Sequence, residues 1–114
     1  MADVETKTAA GRIVVLADFH MVDAPDDIET IIAGVVAAAE EEEPGTLVYA
    51  WHRHVDDPSH WTVLEMYEDE AAQQAHLRGP LMRAATGPLS ELIDFANGTA
   101  TPMKAVAGKG IAQR

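Results

Sequence analysis

Residues 12–21, RIVVLADFHM, divide their side chains between two alternating sets. Ile13, Val15, Ala17, Phe19 and Met21 fall on one face of an extended strand, and Val14, Leu16, Asp18 and His20 fall on the other. Both faces are largely apolar, so this strand is expected inside a sheet that is covered on both sides. Over residues 23–45 the period changes. Ile28, Ile31, Ile32, Val35, Val36 and Ala39 form an apolar stripe at helical spacing, behind Pro25 and acidic residues that suit a helix start. The run EEEEPG ends that helix, with Glu40 to Glu43 expected as a solvated terminus, the usual fate of a charge run. Residues 46–55 and 60–68 are two β-rich runs separated by DDPS and predict an antiparallel hairpin. Residues 69–96 read as helical, with breaks near Gly79-Pro80 and Gly87-Pro88. TATPMKAVAG (99–108) predicts a last strand, which Pro102 assigns to a sheet edge.

The order is therefore β-α-β-β-α-β, the pattern of an α+β, ferredoxin-like split βαβ domain whose antiparallel sheet carries its helices on one face. Residues 1–11 are expected as a disordered lead, 12–108 as a single domain and 109–114 as a frayed tail. The other face of the sheet would carry Val14, Leu16, Val48, Leu64 and Met66. Apolar residues there need cover, and a second copy of the sheet supplies it, so a homodimer through the open sheet face is expected.

Composition narrows the partners. The chain has 114 residues, a formal net charge of −11 and no cysteine. That length supports a hydrophobic core, and the missing thiols exclude disulfides and thiolate metal sites. The negative charge repels phosphate backbones and anionic lipids, which argues against nucleic acid and membrane as partners. MADVETKTAAGR lacks the basic and apolar regions of a signal peptide, and no apolar run approaches the roughly 20 residues that span a bilayer. A cysteine-free chain of this kind is expected in a reducing, cytoplasmic setting.

The hairpin carries most of the candidate chemistry. A five-residue connection (55–59) pairs His54 with His60, Trp51 with Val63, Tyr49 with Glu65 and Leu47 with Tyr67. Leu47, Tyr49, Trp51, Trp61, Val63, Glu65 and Tyr67 then share one face with Ala17 and Phe19, the face that helices would cover. His52, His54 and His60 go to the other face with His20, so four of the five histidines converge at one end of it. Two imidazoles two residues apart can bind a metal, with Asp18 as a candidate further ligand. Bare His-x-His is a weak motif, however, and the histidines read better as a polar patch than as ligands. No metal site is therefore assigned.

The stretch EPGTLVYAWHRHVDDPSHWTVLEMYEDEAAQQAHL resembles the antibiotic biosynthesis monooxygenase family of dimeric α+β barrels. The matching features are a helix ending in EPG, then L-x-Y, then DDP in the hairpin turn, then E-x-Y where the family usually shows Glu-x-Trp, then EAAQQAHL opening the second helix. The resemblance covers about residues 12–95. It implies a pocket between sheet and helices, a homodimer, and either a cofactor-independent monooxygenase or one of the family's other activities. Haem-degrading members use an Asn on the first strand, a Trp late in the third and a His in the second helical segment. Phe19, Tyr67 and Thr86 stand in those places, and the chain's one Asn is Asn97, so haem degradation is set aside.

In that frame His76, at the AHL position, is a candidate base for an acidic phenol or enol, and equally a hydrogen-bonded packing residue. Glu65 is a mid-strand carboxylate that must pair, bind solvent or titrate high, with Tyr49 opposite as its nearest hydrogen-bond candidate. Tyr67 could orient a substrate oxygen. Phe19, Tyr49, Trp51, Leu81 and Met82 would supply apolar walls for a flat aromatic ligand, although each could equally be core. No Gly-x-Gly-x-x-Gly or phosphate-cradling loop is present, so no cofactor is expected. The reading is oxidation of a small phenol or hydroquinone to a quinone by O₂. The alternatives are a non-catalytic barrel that binds a small hydrophobic ligand, and a proton-transfer isomerase using the same pocket.

Overall fold

The computed structural model describes residues 11–79, 87 and 89–110. The expected lead over residues 1–10, the tail over 111–114, and Leu81, Met82 and Thr86 lie outside the described residues. The elements are β1 (Ile13–His20), α1 (Ile28–Glu42), β2 (Thr46–Arg53), β3 (His60–Tyr67), α2 (Glu70–Arg78), a 3₁₀ turn (Phe95–Asn97) and β4 (Thr99–Lys104). The four strands form one antiparallel sheet in the order β2-β3-β1-β4. This is the ferredoxin-like α+β arrangement that the hydrophobic pattern implied. β4 is an edge strand, exposed along its whole length, and Pro102 sits opposite Val15.

The hairpin register is the expected one through its outer half. Trp51 faces Val63, Tyr49 faces Glu65, and the His54 amide donates to the His60 carbonyl at 2.9 Å. The inner end differs: Thr46 lies opposite Tyr67 and Val48 opposite Met66, so Leu47 is an inserted bulge residue. A bulge adds one residue to one strand without changing the alternation beyond it. Tyr67 consequently keeps its side chain under the helices.

The helices are shorter than their sequence signals. α1 begins at Ile28 rather than in the 23–27 segment, and Asp27 caps it without a side-chain hydrogen bond. α2 is capped at its start by Asp69, whose carboxylate accepts from the Ala72 amide, and at its end by Gly79. Gly79 is extended (φ −70°, ψ 156°), as the residue before a proline prefers. Helical structure was expected over 69–96. Instead, residues 91–94 turn and run alongside the end of β1, with Met21 bridged to Ile93 and the Asp94 amide donating to the His20 carbonyl.

The core lies between the sheet and α1. Phe19, Met21, Ile28, Ile32, Trp61, Val63 and Leu89 form one buried cluster, with Tyr49 and Trp51 packed against it. On the opposite face Leu16 and Met103 are 38% and 41% exposed. Two-sided burial of β1 was the expectation; within one chain only the helix side is covered. No helix among the described residues is long and apolar enough to cross a membrane.

Candidate active site

Strands β1, β2 and β3, together with residues 93–100, line a cavity of about 260 Å³ on the sheet. Its floor is Phe19, Tyr49, Trp51 and Glu65, and its far wall is Ile93 and Phe95 from the segment before β4. Alternation puts the floor residues together: Phe19 on β1, Tyr49 and Trp51 on β2 and Glu65 on β3 all point to the helix side. The rings meet edge to face, Phe19 against Trp51 at 5.7 Å and Tyr49 against Trp51 at 6.1 Å between centroids, the geometry that aromatic quadrupoles favour. Gly98 lets the far wall close: a Cβ there would lie 3.2 Å from both the Asp18 carbonyl oxygen and the Phe19 Cβ. Phe95 stands at the rim, 63% exposed.

Glu65 is the carboxylate on the helix-side floor of this cavity. The Tyr67 hydroxyl donates to its Oε1. Tyr49, opposite it on β2, had been the expected partner; the donor is instead the i+2 neighbour on the same strand, which the pleat sets on the same face. Burial raises the Glu65 pKa, and the Tyr67 hydrogen bond opposes that rise without cancelling it. Burial likewise pushes the Tyr49 phenol up to about 12, and raises that of Tyr67 through burial and the adjacent Glu65 carboxylate. Both phenols are therefore neutral hydrogen-bond donors at neutral pH.

His76 is 2% exposed and does not border the aromatic cavity. Its Nδ1 lies 2.6 Å from Glu43 Oε1, which also accepts from Thr46 Oγ1 at 3.0 Å. Glu43 is thus no solvated end of a charge run. It is the one glutamate of the four that turns inward to a helix 33 residues away. The other ring nitrogen, Nε2, is buried with no hydrogen-bond partner among the described residues. The imidazole packs against Tyr49 at 5.0 Å and Tyr67 at 5.4 Å, so it sits one layer behind Glu65. A shallow hollow of about 360 Å³, bounded by Glu43, Gly45, Ala72, Ala75 and His76, lies on its outer side. Gly45 makes the packing of α2 here: a Cβ on it would meet the Ala72 Cβ at 2.6 Å.

Of the site residues named from sequence, Phe19, Tyr49, Trp51 and Glu65 therefore line one cavity. Tyr67 reaches it through Glu65, and His76 stands behind the two tyrosines. Ile93, Phe95 and Glu43 were not anticipated. Ile93 and Phe95 lay in a stretch that reads as helix, and Glu43 in a run that reads as solvent-exposed.

The fold is a ferredoxin-like domain with an aromatic-lined cavity on the helix side of its sheet. A model of the antibiotic biosynthesis monooxygenase family matches residues 13–87, and the chain belongs to that family. Solved structures agree on the fold. One, from Caulobacter crescentus CB15 and carrying the same family description, is 24% identical over 91% of this chain and 98% of its own, with a TM-score of 0.73. SnoaB, a cofactor-independent oxygenase from Streptomyces nogalater, is 19% identical over 89% of this chain and 99% of its own, with a TM-score of 0.72. A comparison with curated proteins finds no match.

Proposed function

We propose that the protein is a cofactor-independent monooxygenase that oxidises a small phenol or hydroquinone to a quinone. The observation that carries this reading is a carboxylate of raised pKa, Glu65, opening into an aromatic-lined cavity with a tyrosine hydroxyl fixed on it. SnoaB, similar in fold, is a cofactor-independent oxygenase. The cavity volume falls just below the roughly 300–1,000 Å³ of typical small-molecule pockets, which fits one or two fused rings.

Glu65 takes the hydroxyl proton of a substrate lying in the cavity against Phe19, Tyr49 and Trp51. A carboxylate that burial makes more basic is better suited to this task. The electron-rich phenolate passes one electron to O₂, and the radical pair joins at a ring carbon that carries hydrogen, forming a C–O bond. The peroxide takes the proton back from Glu65. Loss of the ring C–H proton to Glu65 then breaks the O–O bond and forms the second carbonyl. The hydroxide that departs takes that proton, so phenol and O₂ give quinone and water. The Tyr67 hydroxyl holds the Glu65 oxygen in place, and His76 with Glu43 fixes the two tyrosines from behind. Dry aromatic walls keep the peroxide from solvent. Glu65 is thus the proposed base, with Tyr67 and His76 as the residues that position it.

The reading carries a homodimer through the face of Val14, Leu16, Val48, Leu64 and Met66, and a cytoplasmic setting for a chain without cysteines. Oxygen uptake with a panel of naphthols, anthrones and hydroquinones, without added flavin or metal, tests the activity. Quinone formed mole for mole with O₂ consumed supports it. Turnover that persists without oxygen would assign an isomerase, and binding without turnover across the panel a ligand-binding barrel; either result overturns the oxygenase.

A further inference from the structure

On the other face of the sheet, away from the cavity, four histidines and an aspartate meet at the closed end of the β2–β3 hairpin. The His54 and His60 rings stack at 3.6 Å between centroids and 4° between planes, and His20 stacks on the other side of His60 at 4.6 Å. Spacing alone gave no metal site. The fold adds what the spacing lacked, a carboxylate placed against both imidazoles. His60 Nε2 lies 2.7 Å from Asp18 Oδ1, and His54 Nε2 lies 4.0 Å from Asp18 Oδ2. One donor atom from each of Asp18, His54 and His60 falls within 4.8 Å of the other two.

We infer that Asp18, His54 and His60 form a binding site for a divalent first-row transition ion such as Zn²⁺. Two imidazoles and one carboxylate are a donor set that these ions take, leaving a coordination position for water or a small anion. The scaffold around the three is fixed. His54 and His60 are joined at the backbone by the last hydrogen bond of the hairpin. Asp57 holds the turn by accepting from the Ser59 amide at 3.0 Å and hydroxyl at 2.7 Å. Thr62 Oγ1 donates to Asp18 Oδ2 at 2.8 Å, and its carbonyl lies 3.0 Å from His52 Nδ1. That is the outer layer of contacts that orients ligands in metal sites.

A bound ion would take the place of the 2.7 Å contact between His60 Nε2 and Asp18 Oδ1 and of the 2.7 Å contact between His54 Nε2 and Thr62 Oγ1. Coordination requires the stacked His54 and His60 rings to splay about χ2, a soft torsion. Within one chain the side chains of His54 and Asp18 are each 41% exposed and that of His60 25%, at the hairpin end of the face proposed to pair with a second copy. The chain's net charge of −11 favours the approach of a cation. One chain supplies all three ligands. The site lies across the sheet from Glu65 and takes no part in the proposed oxidation.

The test is isothermal titration of Zn²⁺ into the untagged, chelator-stripped full chain, followed by Co²⁺ titration read by its visible absorption. One ion per chain is expected, with Asp18→Asn and His54→Ala each weakening binding at least about 10-fold. His52→Ala, which removes a neighbouring imidazole outside the ligand set, should leave the affinity within about 3-fold. Circular dichroism of each variant checks that the fold is kept, and the rise in melting temperature with Zn²⁺ gives a second readout that both ligand variants should lose. No saturation below about 100 µM Zn²⁺, a stoichiometry other than one, or equal affinity in wild type and both ligand variants would overturn the site.

Discussion

Replacing Glu43 with Ala removes the only carboxylate that contacts His76 among the described residues. Two hydrogen bonds go at once, the 2.6 Å contact to His76 Nδ1 and the 3.0 Å contact from Thr46 Oγ1. The imidazole is left with both nitrogens unpartnered, since Nε2 already lacks a partner among the described residues. Leaving one buried polar group unsatisfied costs about 1–3 kcal/mol, and breaking a fully buried ion pair about 3–5 kcal/mol. The Glu43 side chain is 12% exposed and that of His76 2%, so some water can reach the vacated side and the lower range applies. The expected loss is about 2–3 kcal/mol, or a fall in melting temperature of about 8–12 °C at roughly 4 °C per kcal/mol for a domain of this size. Urea and thermal unfolding followed by circular dichroism measure it, with Glu42→Ala as the control. Glu42 is exposed one position earlier in the same run, and its removal should change stability by no more than about 0.5 kcal/mol. If the two variants unfold together within that margin, Glu43 is a solvated helix terminus after all and the account of His76 fails.

Three further outcomes follow from the same geometry. Tyr67→Phe removes the donor that holds the Glu65 pKa down against burial, so the acid limb of the rate profile should move to higher pH, read from initial rates across a pH series. The sign for stability is fixed too. Because the folded-state pKa of Glu65 is raised, its favourable contribution is complete below the ordinary carboxylate value and is lost as pH rises through the folded value. Stability should therefore fall over that window in wild type, and the window should lie higher in Tyr67→Phe. Gly45→Ala drives a methyl into the Ala72 Cβ and should cost about 1–3 kcal/mol by overpacking, whereas Gly34→Ala, where a Cβ meets nothing within 4 Å, should stabilise the helix by about 0.5–1 kcal/mol.

Much of this arrangement was legible in the sequence, for a definite reason. The hairpin connection and the alternation of aromatic with polar residues fix one parity, and that parity alone sends Tyr49, Trp51 and Glu65 under the helices and the histidines to the other side. The bulge at Leu47 left no mark, because one extra apolar residue in a β-rich run changes no pattern that composition can register. Glu43 was hidden by its neighbours: four consecutive glutamates look alike, and only the placement of α2 selects the one that turns inward. Ile93 and Phe95 were misplaced because 89–96 is apolar at helical spacing, whereas after the turn at Leu89 the Leu92 carbonyl and Asp94 amide bond to Val22 and His20 at the end of β1. The convergence of Asp18 with His54 and His60 needed the β1–β3 register, which sets Asp18 opposite Thr62 and His20 opposite His60.

The central claim is that Glu65 is the base in the aromatic cavity, and the pH dependence of oxygen uptake by Glu65→Gln tests it most directly. With a hydroquinone that the wild type oxidises, the amide variant should lose about 10²–10⁴ in rate, and the rise in rate that accompanies ionisation of a carboxylate should vanish from its profile. A Glu65→Gln protein that keeps its rate within about 3-fold, with the same pH profile as wild type, would contradict the account.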